Sequence, residues 1–183
     1  MKLEQKRLEK ISDYYLSNHL KIDKLLVNFR YQAIKKYFKG TNCLEIGIAE
    51  GQMTELLIKE FKKLTVLEGS DNLLSKVKNY KNLTKVNSLI ENYSTNLKFS
   101  TIILDHVLEH VKYPDKILKK IYTLLDKNGV FIVGVPNADS LHRLIAVEMG
   151  ILKKKKSLNN TDLKLGHRRV YTKEDLRNML KKN

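Results

Sequence analysis

Apolar positions along the chain recur with two different periods, and the switches between them mark out the elements. Leu3 to Leu16 reads as a first helix, and Ile22, Leu25, Leu26, Phe29, Ala33 and Tyr37 fall at the spacing of a second, amphipathic one. The pattern then tightens to a short apolar strand, Cys43 to Ile46, followed beyond Gly51 by a helix to about Lys63. A second strand, Leu64 to Leu67, ends on Glu68, and Ser70-Asp71 can cap a further helix through Lys78. Strands follow at Leu83 to Val86 and Phe99 to Leu104. Ile117, Leu118, Ile121, Leu124 and Leu125 mark a helix that Asn128-Gly129 is expected to end. Val130 to Val135 is a wholly apolar fifth strand stopped by Pro136, and Thr172 opens a capped helix that runs to the terminus. Continuous apolar strands separated by helices predict an α/β fold: a doubly wound, mainly parallel sheet with helices on both faces.

In such sheets ligands bind at the carboxyl ends of the strands. The first of these ends carries Glu45, Gly47, Ala49 and Gly51 in the pattern E-x-G-x-A-x-G, and the second carries Glu68 and Gly69. A strand, a small-residue loop, a helix and a carboxylate closing the next strand form a nucleoside half-site, in which the carboxylate can accept hydrogen bonds from ribose hydroxyls. A dinucleotide loop would place another glycine three residues after Ala49, and none is there. The ligand implied is a nucleoside without a pyrophosphate. The fourth strand end leads into Asp105-His106-Val107-Leu108-Glu109-His110, where His106, Glu109 and His110 would share one face of a helix. Read literally, this is the H-x-x-E-H pattern of inverted zincin metallopeptidases, but that pattern needs a long helix and a third ligand.

The loop, the acidic end of the second strand and the L-E-H string occur in an order that resembles class I S-adenosylmethionine-dependent methyltransferases, over roughly Arg30 to Asn137. The resemblance implies a Rossmann-like fold with S-adenosyl-L-methionine as cofactor and S-adenosyl-L-homocysteine as product. It implies a donor site of Glu45, Gly47, Ala49, Gly51, Glu68, Gly69, Ser88, Leu89, Asp105 and His106, with Ile90 a further candidate against the adenine. Ala49 replaces the family's middle glycine, and closer contact with the ligand is expected there. His106 is the first candidate for a general base and His110 the second, followed by His142 and His167. Some relatives bind a divalent metal through E-x-x-E-H; His106 stands where they have the first Glu, and no metal ligand is assigned. The stretches around Pro136 to Leu144 and Gly166 to Thr172 resemble the acceptor roof of sugar and secondary-metabolite methyltransferases. There Arg143, Arg168 and Arg169 are either holders of an anionic acceptor or surface charges.

The implied organisation is an N-terminal helical lid over residues 1–39 and a donor-binding domain over residues 40–183. Family members close the sheet with an antiparallel strand pair, for which no pattern remains after Val135. A chain cut short on that side, an exposed fifth strand and homodimerisation through its edge are therefore expected, with impaired activity as a consequence. The formal charge of +15 comes from lysines scattered along the chain, with a single cluster at Lys153 to Lys156 and little arginine. Nucleic acid is accordingly not the favoured partner. No apolar run approaches a membrane span, and the lone Cys43 excludes an internal disulfide, which suits a reducing cytoplasm. The expected activity is methyl transfer to a hydroxyl or amine of a small polar acceptor, such as a sugar or metabolite. The alternatives are an RNA or macromolecular acceptor, or donor binding without turnover.

Overall fold

The computed structural model describes residues 2–17 and 21–183, with side chains from Glu4 to Tyr14 and from Lys24 onward. Five parallel strands stand in the order β3-β2-β1-β4-β5: β1 (Asn42–Ile46), β2 (Lys63–Glu68), β3 (Leu83–Asn87), β4 (Phe99–Asp105) and β5 (Leu125–Gly134). The order reverses between β1 and β4, so a crevice opens where their carboxyl ends diverge.

Side-chain alternation sends each central strand to two cores. Leu44, Ile46, Ile102 and Leu104 pack with Ile117, Leu118, Ile121 and Leu124 of α5 (Pro114–Leu124). Cys43, Leu64, Val66 and Ile103 pack on the other face with Met53 and Leu57 of α3 (Gln52–Leu57), Leu74 of α4 (Asp71–Lys76) and Tyr31 of α2 (Lys21–Lys35). Cys43 is buried, as a small apolar side chain would be, and burial pushes its thiol pKa well up.

Four local expectations need correction. The stripe read for α2 faces outward, with Phe29 62% exposed and Leu25 and Tyr37 also exposed, while Ile22's side chain lies outside the described residues. The buried face is Val27, Tyr31, Ile34 and Phe38, an equally good helical series that the tertiary context selects. Helix α3 relaxes after Leu57 into a turn with Lys59 N–H bonded to Leu56 O and Glu60 N–H to Leu57 O. Helix α4 stops at Lys76, where Val77 turns extended. Asn128-Gly129 does not end α5. The helix stops at Leu124, Leu125 pairs with Phe99, and residues 126–129 absorb a register shift before Val130 pairs with Thr101.

Helix α1 (Lys2–Ser17) lies across the carboxyl ends of the strands. Its Glu9 accepts from Ser70 Oγ (2.7 Å) and Asp71 N (2.8 Å) at the start of α4. Its Glu4 accepts from Arg168 Nη2 on both oxygens (3.1 Å each). Beyond β5 come α6 (Leu141–Glu148), α7 (Asn160–Lys164) and α8 (Lys173–Lys182), the last two opened by capping boxes at Asn159 and Thr172. Among the described residues β5 pairs only with β4 and keeps a free edge.

Candidate functional site

A cavity of about 700 Å³ opens beneath α1 at the crevice between β1 and β4. Its floor starts where β1 ends. Gly47 turns with φ 73°, donates its N–H to Leu67 O (2.8 Å), and lies so close to Val107 that a methyl group there would collide with it. Ala49 holds φ 45°, a left-handed conformation costly for a residue with a Cβ. Gly51 also turns left-handed, but it caps α3 behind the floor, against Val77, and does not line the cavity.

Two carboxylates lie under this loop. Glu68, 7% exposed, accepts from Ile48 N (3.1 Å) and Ser70 N (2.8 Å), tying the end of β2 to the β1 loop. Burial raises its pKa, against the pull of these backbone donors. A carboxylate has about four acceptor positions, so two backbone donors leave capacity toward the cavity. Glu45, 2% exposed, accepts from Thr54 Oγ1 (2.7 Å), and burial lifts its pKa to about 8. Gly69, Ser88, Leu89 and Ile90 line the wall beside Glu68. Ser88 anchors that wall, giving its N–H to Glu68 O (3.0 Å) and its hydroxyl to Leu89 O (3.0 Å).

The opposite wall follows β4. Asp105 Oδ2 accepts from Arg30 Nε of α2 at 2.8 Å, and both residues line the cavity. His106 takes φ 57° and donates its N–H to Gly134 O (2.9 Å), leaving a half-exposed imidazole at the cavity. That φ is incompatible with a helix. Residues 106–110 form a turn, and α5 begins only at Pro114, so the metallopeptidase reading loses its required helix. The turn nevertheless places His106 Nδ1 3.3 Å from Glu109 Oε1. Burial pulls the His106 pKa down, but the neighbouring Glu109 carboxylate and the charge of Asp105 leave it raised overall.

Further in, His110 meets His167 edge-on at 4.8 Å between ring centres, and both line the cavity. Burial lowers the His110 pKa to about 4. The arginines read as possible acceptor holders do other work. Arg143 is buried against Asp162 (Nη1 to Oδ2, 3.1 Å), Lys155 O and Ser157 O. Arg168 gives Nε to His110 O (2.7 Å) and Nη2 to Glu4, and Arg169 Nη2 reaches Lys112 O (3.3 Å). None of the three lines the cavity, and neither does the exposed His142.

The family model described as "Methyltransferase domain" (Methyltransf_23) matches residues 17–183. The chain belongs to this methyltransferase family. The five-stranded parallel sheet is the Rossmann-like fold of class I S-adenosylmethionine-dependent methyltransferases. Solved structures share it. The N-methyltransferase NodS from Bradyrhizobium japonicum WM9, in complex with S-adenosyl-L-homocysteine, superposes with TM-score 0.63 at 18% identity over 85% of this chain and 73% of its own. A SAM-dependent methyltransferase from Archaeoglobus fulgidus gives 0.66 at 21% identity over 87% and 67%. The plantazolicin methyltransferase BpumL, solved with a monoazolic desmethylPZN analog and SAH, gives 0.67 at 17% identity over 94% and 68%. A search of curated proteins found no match.

In this methyltransferase the donor candidates Glu45, Gly47, Ala49, Glu68, Gly69, Ser88, Leu89, Asp105 and His106 all line one cavity, with His110 beside them. Arg30 was missed by sequence reasoning, because an Arg-Asp pair separated by 75 residues leaves no local pattern. Glu4 and Leu8 of α1 were equally invisible as cavity residues.

Proposed function

We propose that the protein transfers a methyl group from S-adenosylmethionine to a hydroxyl or amine of a small polar acceptor. The observation that carries this reading is the single cavity in which the Gly47 loop and the Asp105-His106 turn face each other, roofed by α1. A cleft of about 700 Å³ has room for a nucleoside donor and a compact acceptor. The donor fits its residues: Glu68 has spare acceptor capacity for ribose hydroxyls, and the side-chain-free turn at Gly47 allows close approach.

The donor brings an electrophilic methyl group on a sulfonium, so the chain's task is to orient the acceptor and exclude water. Asp105 presents a carboxylate to a cationic ligand, and Ser88, Leu89 and Ile90 form the wall against an adenine. His106 accepts the acceptor's proton; Glu109 orients its ring from below at 3.3 Å. We assign α1 the role of lid, held by Glu4 in its first turn and by Glu9 at its middle. We also propose pairing of two chains through the free edge of β5. No described helix is long and apolar enough to cross a membrane.

The test is methyl transfer from labelled S-adenosylmethionine to separate panels of small alcohols, small amines and RNA. Product in either small-molecule panel supports the reading. Methylation confined to RNA, or donor binding without transfer to any panel, contradicts it.

A further inference from the structure

Helix α6 is built inside out. Arg143 is its buried residue, held from within by Asp162 Oδ2 (3.1 Å), Lys155 O (2.9 Å) and Ser157 O. Leu141, Leu144 and Ile145 stand at helical spacing on the outer side, Met149 follows one turn on, and Ile151 lies just beyond. All five are exposed, Leu141 at 73% and Met149 and Ile151 at 67% each. Leu163 of α7 is exposed as well. A helix that buries its arginine and turns its leucines outward leaves apolar surface in water, a cost that a partner for that face removes.

Two observations say what covers it. The first is charge. Lys153 to Lys156 is the longest lysine run of the chain, and it follows the apolar patch directly. The run is fixed beside α6: Lys155 O accepts from Arg143, Lys155 Nζ lies 2.5 Å from Asp139 Oδ1 just before the helix, and Lys156 Nζ lies 2.6 Å from Asp175 Oδ2. Lys153 and Lys154 are exposed and form no ion pair with a described residue, and the acidic side chain of α6 is Glu148.

The second is the chemistry of the apolar side chains. They are leucine, isoleucine and methionine, with no Phe, Tyr or Trp to stack on a base, and the arginine of the helix is buried. A nucleic-acid face relies on stacking rings and exposed arginines. A second copy fits poorly too, because two-fold pairing of this face brings two lysine runs to one interface. An apolar strip bordered by lysines matches an anionic lipid surface: the strip enters the acyl boundary and the lysines meet the headgroups.

We propose that the outer face of α6, together with the Lys153–Lys156 loop, docks on an anionic lipid bilayer. The chain lies on the bilayer and does not cross it through any described helix. Arg143 and Asp162 fasten α7 to this face, and Thr161 and Leu165 beside Asp162 line the cavity. That an acceptor reaches the cavity from the lipid surface rests on the methyl-transfer reading; the docking itself does not.

The full chain is co-floated with vesicles of phosphatidylcholine alone and of equal parts phosphatidylcholine and phosphatidylglycerol, with no methyl donor present. Binding to the mixed vesicles is expected, and at least about 10-fold weaker binding to phosphatidylcholine. Lys153→Gln with Lys154→Gln should weaken it by about 5-fold for each lysine lost. Leu141→Gln with Met149→Gln should weaken it by on the order of 10-fold or more. Lys59→Gln with Lys62→Gln, exposed near the amino end of β2, should change it little. All the replaced side chains are exposed, and circular dichroism checks each fold. No binding to mixed vesicles, full retention by the Leu141-Met149 variant, or an equal loss in the Lys59-Lys62 variant overturns the proposal. So does a dimer in sedimentation velocity, or RNA binding, that the Leu141-Met149 variant abolishes, since either assigns the face to another partner. Methyl transfer to the small-molecule panels, run without lipid, reports separately on the methyl-transfer reading.

Discussion

The two walls of the cavity are built on different principles. On the β1-β2 wall the buried carboxyl groups find their partners locally: Glu68 accepts from amides of adjacent loops and Glu45 from a hydroxyl in the first turn of α3. On the β4 wall the partners come from far along the chain. Asp105 meets Arg30 of α2, His110 meets His167, and Arg168 ties the 109–110 backbone to α1. Each wall carries one strained non-glycine residue, Ala49 and His106, but the β4 wall also holds Glu109, a buried carboxylate without a hydrogen bond. A wall whose polar groups are satisfied by its own loops can bind a ligand as a preformed cradle. A wall with unmet partners keeps interactions in reserve for chemistry.

The largest effect that distinguishes the walls is expected at His106. Asn tolerates the left-handed backbone but cannot serve as the base, so His106→Asn should lower turnover by about 10²–10⁴-fold while leaving donor affinity within a few-fold. Steady-state rates beside calorimetry test it; equal losses in both would merge the two walls.

Glu45 gives the next effect, through pH. Its folded pKa of about 8 lies above the ordinary 4.5, so the folded chain holds the proton more tightly than the unfolded one. The stability this brings is full below pH 4.5 and is lost as pH rises toward 8. Glu45→Gln should flatten that slope and gain on the order of 1–4 kcal/mol over wild type near the upper end of the window. Chemical denaturation at a series of pH values checks this, and parallel curves for the two proteins would refute it. Gly47→Ala should cost about 1–3 kcal/mol in the same assay, from its φ of 73° and the collision with Val107. The smallest effect belongs to neither wall. Weak, concentration-dependent dimerisation through β5 should appear in sedimentation velocity, and a monodisperse monomer at all concentrations would exclude it.

The same division governs what was legible in the sequence. The alternation of strands and helices, the Gly47 loop and Glu68 follow from short-range spacing, because one strand-loop-helix unit makes the whole β1-β2 wall. The α2 stripe misled because two helical series fit one segment, and only the sheet selects Tyr31 over Phe29. The 106–110 segment looked helical by spacing; its true shape is set by the His106 N–H to Gly134 O bond from a strand not yet formed in the local sequence. Arg30, His167 and the buried role of Arg143 depend on contacts no local pattern encodes.

The central claim is that donor affinity rests mainly on the β1-β2 wall. Calorimetry of S-adenosyl-L-homocysteine on Glu68→Ala and His106→Asn tests it directly. Losing a charge-assisted acceptor at Glu68 should weaken binding by about 10–100-fold, while His106→Asn stays near wild type. Equal affinities in wild type and Glu68→Ala, or a loss confined to His106→Asn, would contradict the account.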